Sequence, residues 1–140
     1  MNLVGDESTW VVDSGASFHL TPDRKCFSSY KDGDHCSVKS MGNKGACRIV
    51  GIGDVCLETS TGCNLVLRDV QHVPKVRLNL ISAGRLDDEG YTDSIRNGVM
   101  KFCKGSLIVA RARKTNTMYL MHVRLCHNEV NVVSDTSGEV

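Results

Sequence analysis

The residues best placed to do chemistry in this 140-residue chain are Trp10-Val11-Val12-Asp13-Ser14-Gly15-Ala16-Ser17. Three apolar residues lead directly into an acid, and the acid leads into a run of small residues. The apolar run reads as a buried strand, and an unpaired carboxylate is costly to bury. Asp13 is therefore expected at the strand end, where water and a ligand can reach it. Ser14, Gly15 and Ala16 are small enough to bring hydroxyl and backbone N–H groups close to that acid.

The combination of apolar strand, Asp-Ser-Gly and Ala resembles the active-site motif of aspartic proteases, Asp-(Ser or Thr)-Gly-(Ala or Ser). In that chemistry two carboxylates face each other across a water and share one proton, because two like charges so close do not both ionise. The pair titrates as a unit, and it activates the water that attacks a peptide carbonyl. Asp13 would be the acid, with Ser14 and Gly15 as its supports. A second motif is needed and is not found. Asp93-Ser94-Ile95 lacks the glycine, and Asp135-Thr136-Ser137-Gly138 has it one place late in a polar tail. One motif in a short chain implies a symmetric homodimer with one Asp13 from each subunit.

The elements that must position this turn read as β. Thr9 to Asp13 is a strand. Thr21-Pro22 signals a short helix with Thr21 as N-cap, and Ser28 to Asp34 has loop chemistry. Cys36 to Met41 and Ala46 to Gly53 make a glycine-rich hairpin, followed by strands at Asp54–Thr59 and Asn64–Val70. Ser82 to Glu89 is the best helix, with Ser82 as N-cap and Gly90 as its stop. Tyr91–Ile95, Val99–Cys103, Ser106–Ala110 and Thr117–Val123 read as short strands, with a hairpin turn at Asn97-Gly98. This pattern predicts an all-β barrel or sandwich. Gly42, Gly45, Gly51 and Gly53 fit a barrel corner or a mobile hairpin that closes over a ligand. Beside the Asp13 turn the second reading is preferred, which makes these glycines and Ala16 candidate substrate-binding positions.

Composition sets further bounds. There are 17 basic and 16 acidic residues, so overall charge points to no polyanionic partner. No window reaches the ~18 apolar residues of a membrane helix, and the N-terminus has no secretory pattern. The seven cysteines are odd in number, widely spaced and without a Cys-x-x-Cys pair. They read as reduced intracellular thiols rather than a disulfide framework or a zinc cluster. Lys101, Lys104, Arg111, Arg113 and Lys114 read as a solvated β face, because interleaved aromatics are nearly absent; nucleic acid is not an expected partner. His19 and His72 read as structural or solvent-facing.

Further blocks carry a more specific resemblance. The stretch from Trp10 to Thr21 resembles the protease start of copia-type retrotransposon Pol polyproteins. Val50-Gly51-Ile52-Gly53-Asp54-Val55, Leu67-Arg68-Asp69-Val70-Gln71-His72-Val73-Pro74 and Asn79-Leu80-Ile81-Ser82 are similar to that family's later blocks, in order. Gly105 to Ala110 and Thr117 to Leu120 look like the segment after the protease. The likeness covers Thr9 to about Val133 and is nearest to plant elements. It implies a retropepsin-like β-barrel over residues 9–96 with one or two short helices. A flexible lead-in over 1–8, a β-rich extension resembling the pre-integrase segment over 97–127 and a disordered tail over 128–140 would complete the chain. It also implies a homodimeric aspartic endopeptidase that processes a Gag-Pol polyprotein inside the cell, in virus-like particles, without cofactor or metal. His122 and His127 match the family's zinc block poorly, so the chain is expected to stop before that block. The competing expectation is a non-catalytic barrel left by a degenerate or host-adopted element.

Overall fold

The computed structural model describes residues 7–33, 37–39 and 46–126. Its strands are β1 (Glu7–Asp13), β2 (Leu20–Thr21), β3 (Phe27–Asp32), β4 (Ser37–Lys39), β5 (Ala46–Arg48), β6 (Gly51–Glu58), β7 (Asn64–His72) and β8 (Asn79–Ser82). After one helix, α1 (Ala83–Asp88), come β9 (Thr92–Arg96), β10 (Val99–Lys104), β11 (Leu107–Thr115) and β12 (Met118–Leu125). The architecture is all-β, as the sequence predicts.

Six strands close on themselves. The hydrogen-bonded order runs β6-β7-β2-β8-β1-β12, and β12 pairs again with β6 through Arg124↔Glu58 and Leu125↔Leu57. Closure of this ring makes the barrel and leaves these strands few free edges. β3 adds to the side of β6, and β11, β10 and β9 continue outward from β12. β4 and β5 form a separate two-stranded hairpin. Alternation along the strands fills the interior: Trp10, Val12, Val55, Leu57, Leu65, Leu67, Ile81, Leu86, Phe102 and Met121 belong to one buried cluster. Met100, Phe102, Val109, Ala110 and Ala112 share that cluster with the ring strands, so β10 and β11 pack on the same core.

Three local expectations are corrected. Of the stretch expected as a loop from Ser28, the residues to Asp32 belong to strand β3, which pairs with β6; their Ser, Lys and Asp side chains are exposed on an edge strand, where polarity is no bar to pairing. The short helix is a single 3-10 turn over Arg24–Cys26, capped by Asp23, whose side chain accepts from the Lys25 N–H. Thr21 belongs to β2 instead, and its hydroxyl donates to Asn79 Oδ1 at 2.6 Å. Finally, Cys56 and Cys126 are joined in a disulfide, whereas Cys26, Cys63 and Cys103 are free. The sequence separation of 70 residues hid this pairing, which needs β12 to close onto β6 before the two sulfurs meet. The helix expected at Ser82 is present, with Ser82 as N-cap.

Candidate functional site

β1 is an inner strand of the ring. It pairs antiparallel with β12 and parallel with β8. The β8 register sets Asp13 beside Ser82, so two apolar runs, Val11-Val12 and Leu80-Ile81, end side by side. At that end β1 gives way to a turn in which Asp13 is half-buried and Ser14 and Gly15 are exposed. The Gly15 N–H donates to Asp13 Oδ1 at 2.7 Å. This charge-assisted hydrogen bond fixes one carboxylate oxygen.

Ser82 and His19 hold the turn from below. The Ser82 hydroxyl donates to the Ala16 carbonyl at 2.7 Å and accepts the Arg85 N–H at 3.1 Å. The Ser82 N–H donates to His19 Nδ1 at 3.0 Å, so the imidazole carries its proton on Nε2. His19 and Ser82 are both fully buried. Burial, and then the positive charge of Arg85, push the His19 pKa down to about 4, so the ring is neutral at pH 7. Its Nε2 has no hydrogen-bond partner among the described residues. Arg85 also pairs with Asp69 at 3.2 Å and stands 5.5 Å from the Phe18 ring centroid. Phe18 is exposed on the turn itself.

The candidate residues divide into three groups. Asp13, Ser14, Gly15 and Ala16 share the turn. Gly51 and Gly53 lie in β6 opposite β3, where a Cβ on Gly51 would run into the Tyr30 ring and one on Gly53 into the Ser29 carbonyl. Close packing against β3 thus requires glycine at both positions. Gly42 and Gly45 lie outside the described residues. Gly15 differs from the β6 pair: a Cβ there would stand 3.4 Å from Asp13 Oδ1, at the near edge of ordinary contact, so the fold of one chain leaves room for it. His72 accepts or donates at 2.7 Å with the Tyr30 hydroxyl, well away from the turn.

Sequence reading assigned Ser82 only as a cap and His19 only as structural. The signal for more was present: Leu80-Ile81-Ser82 repeats the apolar-apolar-polar ending of Val11-Val12-Asp13, and parallel pairing aligns the two. Among the described residues no group of His, Cys, Asp and Glu side chains could hold a metal ion. A polar groove of about 590 Å³ lined by Glu7, Glu58, His122 and Arg124 lies at the other end of β1, remote from Asp13.

These features define an all-β barrel that presents one accessible aspartate turn at a strand end. The chain belongs to the family described as "Pol polyprotein, beta-barrel domain", whose model matches residues 10–91. It is 46% identical over 135 residues to the retrovirus-related Pol polyprotein from transposon TNT 1-94 of Nicotiana tabacum, covering 96% of this chain and 10% of that protein. It is 36% identical over 76 residues to the putative transposon Ty5-1 protein YCL075W of Saccharomyces cerevisiae, covering 54% of this chain and 47% of that protein. The chain thus spans a tenth of the first relative and about half of the second. No solved structure matches it. β12, which closes the ring, lies outside the matched 10–91 span. Among the described residues, no helix is long and apolar enough to cross a membrane.

Proposed function

We propose that this chain is the aspartic endopeptidase segment of a retrotransposon polyprotein, acting as a homodimer inside the cell to cut that polyprotein at its junctions. The observation that carries this reading is the Asp13 turn: an accessible carboxylate at the end of a buried strand, with the Gly15 N–H on one oxygen. In a dimer the two Asp13 carboxylates would hold one proton between them. The ionised Asp13 takes a proton from the water as the water oxygen bonds to the peptide carbonyl carbon. The protonated Asp13 gives its proton to the carbonyl oxygen. Collapse of the resulting diol breaks the C–N bond: the proton held by the first Asp13 goes to the leaving nitrogen, and a diol hydroxyl gives its proton back to the second Asp13 as the new carbonyl forms. The β4–β5 hairpin is the flap in this reading, and Gly42, Gly45 and Ala16 would line the substrate.

The test is cleavage of a peptide spanning a polyprotein junction at mildly acidic pH, with Asp13→Asn in parallel. Cleavage by the parent chain and none by the variant supports the reading, whereas equal rates refute it. The rival reading, a non-catalytic barrel, is favoured by one observation: β1 is flanked on both sides within its own chain and so offers no edge to a second copy. Sedimentation separates the two, since a strict monomer at high concentration excludes a shared dyad.

A further inference from the structure

The ring of strands closes at one short seam. β12 meets β6 through Arg124↔Glu58 and Leu125↔Leu57, and the Cys126 N–H donates to the Cys56 carbonyl at 3.2 Å. The joint between β12 and β1, by contrast, runs from Glu7↔Arg124 to Val12↔Tyr119. β7 occupies one edge of β6 from Gly51↔His72 to Glu58↔Asn64. The other edge is shared. β3 covers it from Gly51 to Val55, and β12 takes over at Leu57. Cys56 stands where β3 hands that edge to β12. Leu125 and Cys126 lie beyond the Glu7↔Arg124 pair, and among the described residues β6 is the strand that holds them.

The Cys56–Cys126 disulfide sits at this end of the seam. The two Cα atoms are 5.6 Å apart, within the range that a bridge spans without backbone movement. Both cysteines are half-buried, so a small thiol can reach a sulfur from solvent. Cys26 is the contrast. Burial, and then the charge of Asp23, push its thiol up to about 11, so it holds almost no thiolate near neutrality and takes little part in exchange.

We propose that Cys56–Cys126 is a redox latch on the barrel, whose thiol or disulfide state decides whether β12 closes the ring onto β6. The co-reactant is a low-molecular-weight thiol, RSH, with its disulfide. A thiolate RS⁻ bonds to one cystine sulfur, the Cys56–Cys126 bond breaks, and the other cysteine leaves as a thiolate. A second RS⁻ bonds to the R-side sulfur of the mixed disulfide, which gives RS–SR and frees the second cysteine. Each cysteine thiolate takes a proton from solvent. Two RSH are thus oxidised and one cystine is reduced. The reverse sequence, begun by a cysteine thiolate on RS–SR, closes the latch. Without the bridge, the seam is a strand end held by little backbone pairing, and such ends open locally. Opening bares the β6 backbone from Cys56 to Glu58 as a free edge. The polar groove lined by Glu7, Glu58, His122 and Arg124 spans β1, β6 and β12, so it loses its β6 wall.

The test is equilibration of the full 140-residue chain with reduced and oxidised glutathione over a series of ratios. Alkylation and peptide mapping read the bridge, and NMR reads the seam in the folded protein. The Cys56–Cys126 bridge is expected to form in oxidised glutathione, to be lost in excess reduced glutathione, and to return on reoxidation. On reduction the cross-strand proton contact between Leu57 and Leu125 is lost, whereas the contacts between β1 and β12 are kept. Cys56→Ser shows the open seam in either buffer. Cys63→Ser with Cys103→Ser, which removes two free thiols elsewhere, keeps the full response. A bridge that survives excess reduced glutathione would be a structural staple and overturns the proposal, as does one that never forms in oxidised glutathione. So do a Leu57–Leu125 contact that persists after reduction, loss of the β1–β12 contacts along with it, and loss of the response in the Cys63/Cys103 variant. None of these outcomes depends on whether Asp13 is catalytic.

Discussion

Ser82→Ala is the most informative change near the turn. The hydroxyl makes two bonds from a fully buried position, donating to the Ala16 carbonyl and accepting the Arg85 N–H. Loss of an N-cap costs about 1 kcal/mol. Loss of the bond to Ala16 costs about another 1 kcal/mol, and somewhat more if that carbonyl is left without a partner. The sum is about 2–3 kcal/mol, which for a chain of this size lowers Tm by roughly 8 °C. Thermal melts read that drop. Amide chemical shifts separate the two halves of the argument: a pure capping loss moves α1 alone, whereas release of the turn also moves Gly15 and Ala16. A Tm change below about 2 °C, with the Gly15 resonance unmoved, would refute the claim that Ser82 holds the aspartate turn.

Three further outcomes follow from the same geometry. Gly53→Ala drives a Cβ into the Ser29 carbonyl and is expected to destabilise by about 1–3 kcal/mol, read by denaturant melts. Gly15→Ala is expected to change stability by less than about 1 kcal/mol, because one chain has room for the methyl; if the Asp13 pair is catalytic it nonetheless lowers peptide cleavage, since the methyl sits against the carboxylate. Reduction of Cys56–Cys126 releases a constraint across 70 residues and is expected to cost up to about 4 kcal/mol on the chain-entropy model, measured by melts with and without a thiol reductant.

The fold class was legible because alternation and glycine-rich turns are local signals. The strand ending in Asp13 and the helix capped by Ser82 were legible for the same reason. What escaped is non-local. Phe27–Asp32 is polar, and only its pairing with β6 reveals it as a strand. The disulfide depends on β12 returning to β6, a contact between residues far apart in sequence. Asp23, not Thr21, caps the 3-10 turn because β2 has already taken Thr21 into the sheet. Gly51 and Gly53 carried two readings in sequence; the tight contact with Tyr30 and Ser29 accounts for both glycines without reference to a ligand. Within the site, the turn could be read from its residues, but its attachment to β8 could not. That attachment requires the parallel register that sets Asp13 beside Ser82.

His19 ties the stability of this site to pH. Its folded pKa of about 4 lies below the ordinary 6.5, because burial and Arg85 disfavour the charged ring. The unfolded chain therefore binds a proton more readily than the folded one between those values, and stability must fall as pH drops through that window. The stabilisation from keeping His19 neutral is complete above pH 6.5 and gone below about 4. At about 1.36 kcal/mol per pKa unit the total is on the order of 3 kcal/mol. An aspartate pair that shares one proton works on the acid side of neutrality, so activity and stability would pull in opposite directions on the same turn. Denaturant melts from pH 7.5 to 4 should show this loss in the parent chain and a shallower one in His19→Gln, which keeps a polar group beside the Ser82 N–H but does not titrate. Parallel pH profiles in the two proteins would remove His19 as the cause.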